Sequence, residues 1–175
     1  DLDKLAGNID VRFASGDESL TLLDGKSITP DSDTLLITDE SGAIGLAGIM
    51  GGESTSVTDG TRNIVFEAAF FAPAGMAGKA RRYGMHTDAS LRFERGVDPA
   101  GQVRAQERAA ALLVAIAGGR CAPIQVVSAP EHMPVRTPVT LRAARLEKVL
   151  GVAVDHTSVR EVCARLGFEV DMEED

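Results

Sequence analysis

Three short stretches hold the residues that could do chemistry. Gly48-Ile-Met-Gly-Gly-Glu-Ser-Thr-Ser-Val57 belongs to a run with four glycines between Gly45 and Gly52. Glu67 is the one charged residue in Asn63-Ile-Val-Phe-Glu-Ala-Ala-Phe-Phe71, and His86-Thr-Asp-Ala-Ser90 sets four polar side chains in five positions. A carboxylate in a stretch expected to be buried on both faces is costly unless it is paired, hydrogen-bonded or protonated. Glu67 is therefore either half of an ion pair, with Arg62 or Arg92 as its partner, or a binding group. Glycine at this density gives up side-chain packing and backbone entropy, so it marks either a tight turn with a bulge or a backbone that something approaches closely. The stretch from His86 to Ser90 reads as an Asx turn, a Ser/Thr turn or a helix cap. His86 as a general base competes there with an imidazole that is only solvated or structural.

Other chemistries are disfavoured by what is missing from the spacing. Gly75-Met-Ala-Gly-Lys79-Ala resembles a phosphate loop, but Pro73 stands where its first glycine belongs and Ala80 where its final Ser or Thr belongs. No serine sits in a Gly-x-Ser-x-Gly elbow. Cys121 and Cys163 have no Cys or His at ligand spacing, so neither a zinc site nor a disulfide framework is indicated, and a reducing cytosol fits. No apolar run is long enough to span a bilayer, and Asp1-Leu-Asp-Lys4 is unlike a signal peptide. The absence of an initiating Met reads as an excised fragment. A net charge of −8 argues against a surface that wraps nucleic acid. Local contact remains open through Lys79-Ala-Arg-Arg82 and the arginines from Arg92 to Arg108, while Asp171-Met-Glu-Glu-Asp175 concentrates negative charge.

The elements that must position these residues follow from periodicity. Ile9-Asp-Val-Arg-Phe13 alternates apolar and polar residues, Ser19-Leu-Thr-Leu-Leu23 runs into the turn pair Asp24-Gly25, and Thr34-Leu-Leu-Ile-Thr38 is a third strand. Together they predict a β-meander. Its last hairpin turns at Asp39-Glu-Ser-Gly42 and carries Ala43-Ile-Gly-Leu-Ala-Gly-Ile49 into the glycine-rich loop. With 44% hydrophobic and only 4% aromatic residues, the core must rest on aliphatic side chains, with Phe66, Phe70, Phe71 and Phe93 as larger fillers. Pro73 opens a short helix over Ala74 to Tyr83 that carries the basic cluster. Asp98-Pro99 starts a longer one reaching Ala117, where Gly118-Gly119 ends it. In that helix Ala109, Leu112, Leu113 and Ile116 fall at i, i+3, i+4 and i+7, a face predicted to pack on the sheet, with Arg104, Glu107 and Arg108 solvated opposite. Ile124-Gln-Val-Val127 predicts a further strand.

Pro130, Pro134 and Pro138 mark a linker to a second unit. There Val139-Thr-Leu141 leads to a helix near Ala143 to Leu150, stopped by Gly151. Ser158-x-x-Glu161 has the pattern of a capping box for another helix, whose apolar face is Val159, Val162, Cys163 and Leu166.

Taken in order, Asp1-Leu-Asp-Lys-Leu5, Leu22-Leu-Asp-Gly25, Leu46-Ala-Gly-Ile-Met-Gly-Gly52, Phe66-Glu-Ala-Ala-Phe-Phe71, Arg81-Arg-Tyr-Gly-Met-His-Thr-Asp-Ala-Ser90 and Arg92-Phe-Glu-Arg-Gly-Val-Asp-Pro99 resemble the β subunit of bacterial phenylalanyl-tRNA synthetases. The region resembled is the B3/B4 editing module with the beginning of B5. The resemblance implies an α+β fold with a β-sandwich-like B3/B4 core and flanking helices over residues 1–133. A linker and an incomplete helical piece of a B5-like domain follow over residues 134–175. It implies post-transfer editing, the hydrolysis of tyrosine wrongly esterified to tRNA(Phe), in which Gly51 and Gly52 line the pocket and Glu67 reads the tyrosyl hydroxyl. Thr87 and Ala89 form the opposite wall, and Thr87 and Gly51 are the residues nearest the chemistry. It also implies a histidine just upstream of Asp1-Leu-Asp3, a position outside this sequence. For the whole enzyme, a cytoplasmic ligase of protein biosynthesis, it implies an α subunit partner in an α2β2 heterotetramer, tRNA(Phe), ATP and Mg2+. No cofactor is expected in this segment. A structural and tRNA-contacting module without activity of its own is the alternative.

Overall fold

The computed structural model describes residues 1–171, so residues 172–175 of the acidic terminus lie outside the described residues. The chain forms two compact units, Asp1–Pro134 and Val135–Asp175. The first contains strands β1 (Asp10–Phe13), β2 (Leu20–Thr21), β3 (Ser27–Ile28), β4 (Leu35–Asp39), β5 (Gly42–Leu46) and β6 (Met50–Gly51). Helices α1 (Pro73–Met76), α2 (Lys79–Arg82), α3 (Asp88–Arg95) and α4 (Gln102–Ala117) follow. The fold is α+β: antiparallel sheets first, then helices, and among the described residues no barrel closes. No helix among them is long and apolar enough to cross a membrane.

The order of the main sheet is β1-β4-β5-β6, every pair antiparallel, with β2 and β3 forming a separate hairpin. This corrects the meander, in which β1 would pair with the strand after it. The chain leaves the sheet after β1 because Arg12 grips Glu18 with both nitrogens, at 2.8 and 2.6 Å, while the Ser15 N–H donates to the same carboxylate at 2.7 Å. That fork holds the Glu18 carboxyl down at about 2. The β2 hairpin returns beside the far edge instead. Leu22 bridges Gly52, the Leu23 N–H donates to the Gly51 carbonyl at 3.1 Å, and the Glu53 N–H donates to the Thr21 carbonyl at 2.9 Å. The glycine-rich segment is thus clasped between β5 and the end of β2.

The core gathers on this sheet. Leu22 and Leu36 are wholly buried, and Leu20, Ile44, Leu46, Ile49, Phe71 and Met76 pack with them. Between β4 and β5 the buried Asp39 carboxylate accepts from the Ala6 N–H at 2.8 Å and from the Ser41 N–H at 2.8 Å, which satisfies it and sets the turn.

The single helix expected over Ala74 to Tyr83 is two short turns, α1 and α2, because Gly78 adopts φ +75° between them and a left-handed residue cannot continue a helix. A clamp fixes α2. Tyr83 and Thr34 share a hydroxyl hydrogen bond of 2.6 Å, and the Asp31 N–H donates to the Tyr83 hydroxyl at 3.0 Å. Arg82 pairs with Asp33 at 2.6 Å and Asp31 at 3.1 Å, Lys79 also meets Asp33, and these cations, Arg82 foremost, hold the Asp33 carboxyl down at about 2. Two of the three cations in the basic cluster are therefore neutralised locally.

Helix α4 begins at Gln102, later than Asp98-Pro99, because Asp98 instead closes a turn, its carboxylate accepting from the Ala100 N–H at 3.0 Å. Its apolar face does not pack on the sheet: no α4 residue is buried and Ile116 is 83% exposed. Residues 124–127 form no strand and stay exposed. Periodicity identifies an apolar face but not the partner that covers it. In the second unit, α5 (Ala143–Leu150) ends on Gly151 at φ +74°, as its sequence predicts. Helix α6 (His156–Arg165) is capped by Asp155, which accepts from the Ser158 N–H at 2.9 Å, so Ser158 occupies the third helical position and is not the cap. Aspartate three residues earlier offers the ionised acceptor that the helix N-terminus favours.

The turn joining β5 to β6 has Gly48 at φ +65°, and a Cβ there would lie 2.8 Å from Met76 Cε and 3.0 Å from the Phe93 ring. Phe93 in turn packs against Phe71, the ring centroids 5.2 Å apart and the planes tilted by 47°. Gly48→Ala is expected to destabilise this chain by roughly 1–3 kcal/mol in a denaturant titration. Gly25→Ala, also at positive φ but with nothing within 4 Å of the added Cβ, isolates the conformational part and is expected to cost less.

Candidate functional site

Helix α3 begins with a reciprocal cap. Thr87 has extended φ/ψ of −117° and 157°, and its hydroxyl oxygen accepts from the Ser90 N–H at 3.0 Å. The buried Ser90 hydroxyl accepts from the Thr87 N–H at 3.1 Å and donates to the Thr87 carbonyl at 2.9 Å. Residues 86–90 are therefore a helix cap, with Asp88 in the first turn, where a carboxylate meets the positive end of the helix. Ala89 follows at the second helical position, half-buried. One further bond leaves the cap: the Thr87 hydroxyl donates to the Ile49 carbonyl at 2.9 Å. That bond ties α3 to the glycine hairpin beside Gly48.

The glycines of the hairpin separate by cause. At Gly52 a Cβ would sit 2.6 Å from the Ile44 carbonyl oxygen, and the Gly52 N–H donates to that oxygen at 2.7 Å. Its N–H is already satisfied by the sheet. Gly51 is different: it is exposed, its φ is outside the positive range, and a Cβ would meet only Leu23 Cδ1, at 3.3 Å, on a side chain that is itself exposed. Gly51 is thus a glycine that the sheet alone does not require.

Glu67 lies in an extended segment without strand pairing. Gln106 of α4 donates to the Phe66 carbonyl at 2.9 Å and Gln102 to the Ala69 carbonyl at 3.2 Å, so α4 holds both sides of Glu67. The expected two-sided burial does not occur: Phe71 enters the core while Val65, Phe66 and Glu67 remain exposed. The ion-pair alternative is not formed either. Arg92 turns to Asp88, donating to its carbonyl at 2.9 Å, and among the described residues no ion pair includes Glu67 or Arg62. Part of the Glu67 surface is open, yet the protein around its carboxyl pushes it upward from the ordinary range by desolvation. With water at hand the effect on stability is small.

Among the described residues, two concavities stand out in this unit. One, of about 440 Å³, is lined by Arg81, His86, Thr87, Asp88, Leu91 and Glu94 among others. The other, of about 590 Å³, lies between α4 and the segment after it, with Val103, Cys121, Ile124 and Val126 in its wall. Gly51, Glu67 and Ala89 line neither. The structure thus brings Thr87 to the glycine hairpin through Ile49, while Glu67 and Gly51 do not line the 440 Å³ concavity that Thr87 lines. Sequence reasoning missed Ser90 and the Ile49 carbonyl as the groups that fix Thr87. The Thr87-x-x-Ser90 spacing, a capping box with Ser in place of Glu, was the available signal for the first. Among the described residues no group of three His, Cys, Asp or Glu side chains could hold a metal ion, so no step is derived through one.

The glycine hairpin, the strands that clasp it and the capped helix all lie within residues 1–118. Residues 1–118 match the B3/4 domain family, and the chain belongs to it. Over 173 residues it is 53% identical to the phenylalanine–tRNA ligase β subunit of Idiomarina loihiensis, covering 99% of this chain and 22% of that protein. It is also 51% identical over 170 residues to the corresponding β subunit of Hahella chejuensis and 48% identical over 171 residues to that of Nitrosococcus oceani, with 97% and 98% of this chain and 22% of each protein covered. The chain therefore spans about a fifth of the length of these relatives.

The upward push on Glu67 has a sign that can be checked. Because its folded-state pKa is raised, the ionised form weakens the fold, and stability falls as pH rises through that value. Glu67→Gln is expected to be more stable than the wild type at pH 8, with the difference vanishing below about pH 4, where both carboxyl states are protonated. Paired thermal melts across this range check it; a difference independent of pH would contradict the desolvation.

Proposed function

We propose that this chain is the editing segment of a phenylalanine–tRNA ligase β subunit, and that it hydrolyses tyrosine wrongly esterified to tRNA(Phe). The observation that carries the reading is the identity of about one half to such β subunits across almost the whole chain. On this reading Gly51 makes room for the substrate, Glu67 accepts a hydrogen bond from the tyrosyl hydroxyl, and Thr87 and Ala89 form the facing wall. A binding group left unpaired when phenylalanine enters discriminates more strongly than shape does. The hydrolysis adds the oxygen of water to the ester carbonyl carbon and breaks the bond to the ribose oxygen, which takes up a proton; tyrosine and free tRNA result. The oxyanion that forms needs a donor. The Gly52 N–H is held by Ile44, so the loop donor on this reading is Gly51.

The rest of the reading concerns the longer protein. Residues 134–175 are proposed to be a linker and the first part of a B5-like domain. The whole enzyme is proposed to be cytoplasmic, to pair this subunit with an α subunit, to bind tRNA(Phe), and to use ATP and Mg2+ for charging at a site outside this segment. Two observations favour a second reading, a structural and tRNA-contacting module: neither Gly51 nor Glu67 lines the concavity that Thr87 lines, and the Thr87 hydroxyl is engaged in the helix cap.

Glu67→Ala in the complete ligase separates the readings. Editing predicts a loss of roughly 10- to 100-fold in deacylation of the tyrosyl ester, the worth of a hydrogen bond to a charged group, with charging by phenylalanine little changed. The structural reading predicts weaker assembly or charging instead. Gly51→Trp is expected to abolish deacylation without unfolding the chain, since Leu23 can move aside. Unchanged hydrolysis of the tyrosyl ester by both variants would overturn the editing reading.

A further inference from the structure

The direction of the Thr87 hydroxyl is fixed by its partners. A threonine hydroxyl has one proton to donate and two lone pairs to accept with. The Ile49 carbonyl, 2.9 Å away, can only accept, so the proton lies on that bond. The Ser90 N–H, 3.0 Å away, can only donate, so it occupies one lone pair. Neither partner can exchange roles. One lone pair is left, on a half-buried residue that lines the 440 Å³ concavity.

We infer that Thr87 meets the substrate as a hydrogen-bond acceptor only, receiving the α-ammonium group of the aminoacyl ester, and that Ser90 is the positioning residue that holds it in this state. The inference rests on the editing reading. Donation from Thr87 to the oxyanion is closed, because its proton is committed to Ile49. Of the donors that a tyrosyl ester brings, the α-ammonium is the charged one, and charge-assisted hydrogen bonds are the stronger class. The carboxylates of Asp88 and Glu94 line the same concavity, and although Arg81 and His86 stand there too, Glu94 accepts from the Gly78 N–H at 3.1 Å and Asp88 pairs with Arg92 at 3.7 Å without either being buried. Ser90 is 5% exposed, and both of its hydroxyl bonds go to the Thr87 backbone. It fixes the backbone from which the Thr87 side chain projects.

The test is a cycle in the complete ligase, comparing tyrosyl-tRNA(Phe) with its N-acetyl derivative, in the wild type and in Thr87→Val, which matches threonine in shape but carries no acceptor. With the free amine, Thr87→Val is expected to deacylate roughly 10- to 100-fold more slowly, the loss appropriate to a charged hydrogen bond. Thr87→Val also loses the cap and the Ile49 bond, a cost common to both esters, so with the N-acetyl ester, which has no ammonium, its deficit is expected to be roughly 10- to 100-fold smaller than with the free amine. Independent effects that multiply would overturn the inference, since groups that do not touch show no coupling. Ser90→Ala, which leaves the Thr87 side chain in place, is expected to show the same substrate-dependent loss in weaker form, with Ser90→Thr recovering most of it. A Ser90→Ala loss equal on both esters marks a merely structural residue and overturns its positioning role. Should the wild-type ligase not hydrolyse the tyrosyl ester, the editing reading falls and this inference with it. Should the wild type hydrolyse it while the cycle shows no coupling, only this inference falls.

Discussion

The hydrogen bond from the Thr87 hydroxyl to the Ile49 carbonyl is the contact on which the arrangement of the site depends. The hairpin from β5 to β6 belongs to the sheet, and α3 belongs to the helical half of the same unit; this bond joins their ends. Around it, the packing leaves little freedom. Phe93 of α3 and Met76 of α1 lie against Gly48, and Phe71 packs on Phe93 with its ring tilted, so the apolar contact beneath the hairpin and the polar contact at its tip are set by one helix. A helix whose first turn is satisfied by a reciprocal cap is a rigid support for that purpose, because the groups that would otherwise fray are paired.

Glycine clustering in the hairpin has more than one cause. Gly48 answers to a left-handed turn under a helix and Gly52 to a carbonyl oxygen that allows no Cβ, whereas at Gly45 a Cβ would make only an ordinary contact, 3.4 Å from the Gly51 Cα, and at Gly51 it would meet the exposed Leu23 side chain at 3.3 Å. Two of the four are therefore explained by backbone geometry. The density that draws attention in the sequence is partly architectural.

Much of the fold was legible where the code is local. The α5 stop at Gly151, the hairpin turn after Asp39 and the cap at residues 86–90 follow from backbone preferences and side chains a few residues apart, and the structure shows each. What was not legible depends on distant partners. The β1–β4 pairing needs the Arg12–Glu18 fork to turn the chain away, and the break between α1 and α2 is decided by which glycine adopts a left-handed conformation. The apolar face of α4 was placed on the helix but assigned to a sheet under which none of its residues is buried. Among the candidate site residues, Glu67 stood out by its type and context, whereas Thr87 was named only through the resemblance. Ile49 was not recognisable, since its contribution is a carbonyl oxygen that every residue possesses.

The environment of Glu67 decides how selective it can be. An acceptor bathed in water already has hydrogen-bond partners, and exchanging one of them for a phenol gains little. The same carboxylate in a dry setting has no such substitute, so the absence of the hydroxyl then leaves a buried charge unpaired. Glu67 stands between these limits: part of its surface is open, and the surrounding protein nonetheless pushes its carboxyl upward by desolvation. An aromatic ring laid over the exposed side would complete that desolvation, so the discrimination would be generated by substrate binding itself and would not pre-exist in the empty site. On the proposed editing reading, selectivity of this kind needs the ring held against Glu67 before chemistry begins, the task that reading gives to Thr87, which Ser90 and Ile49 fix in place.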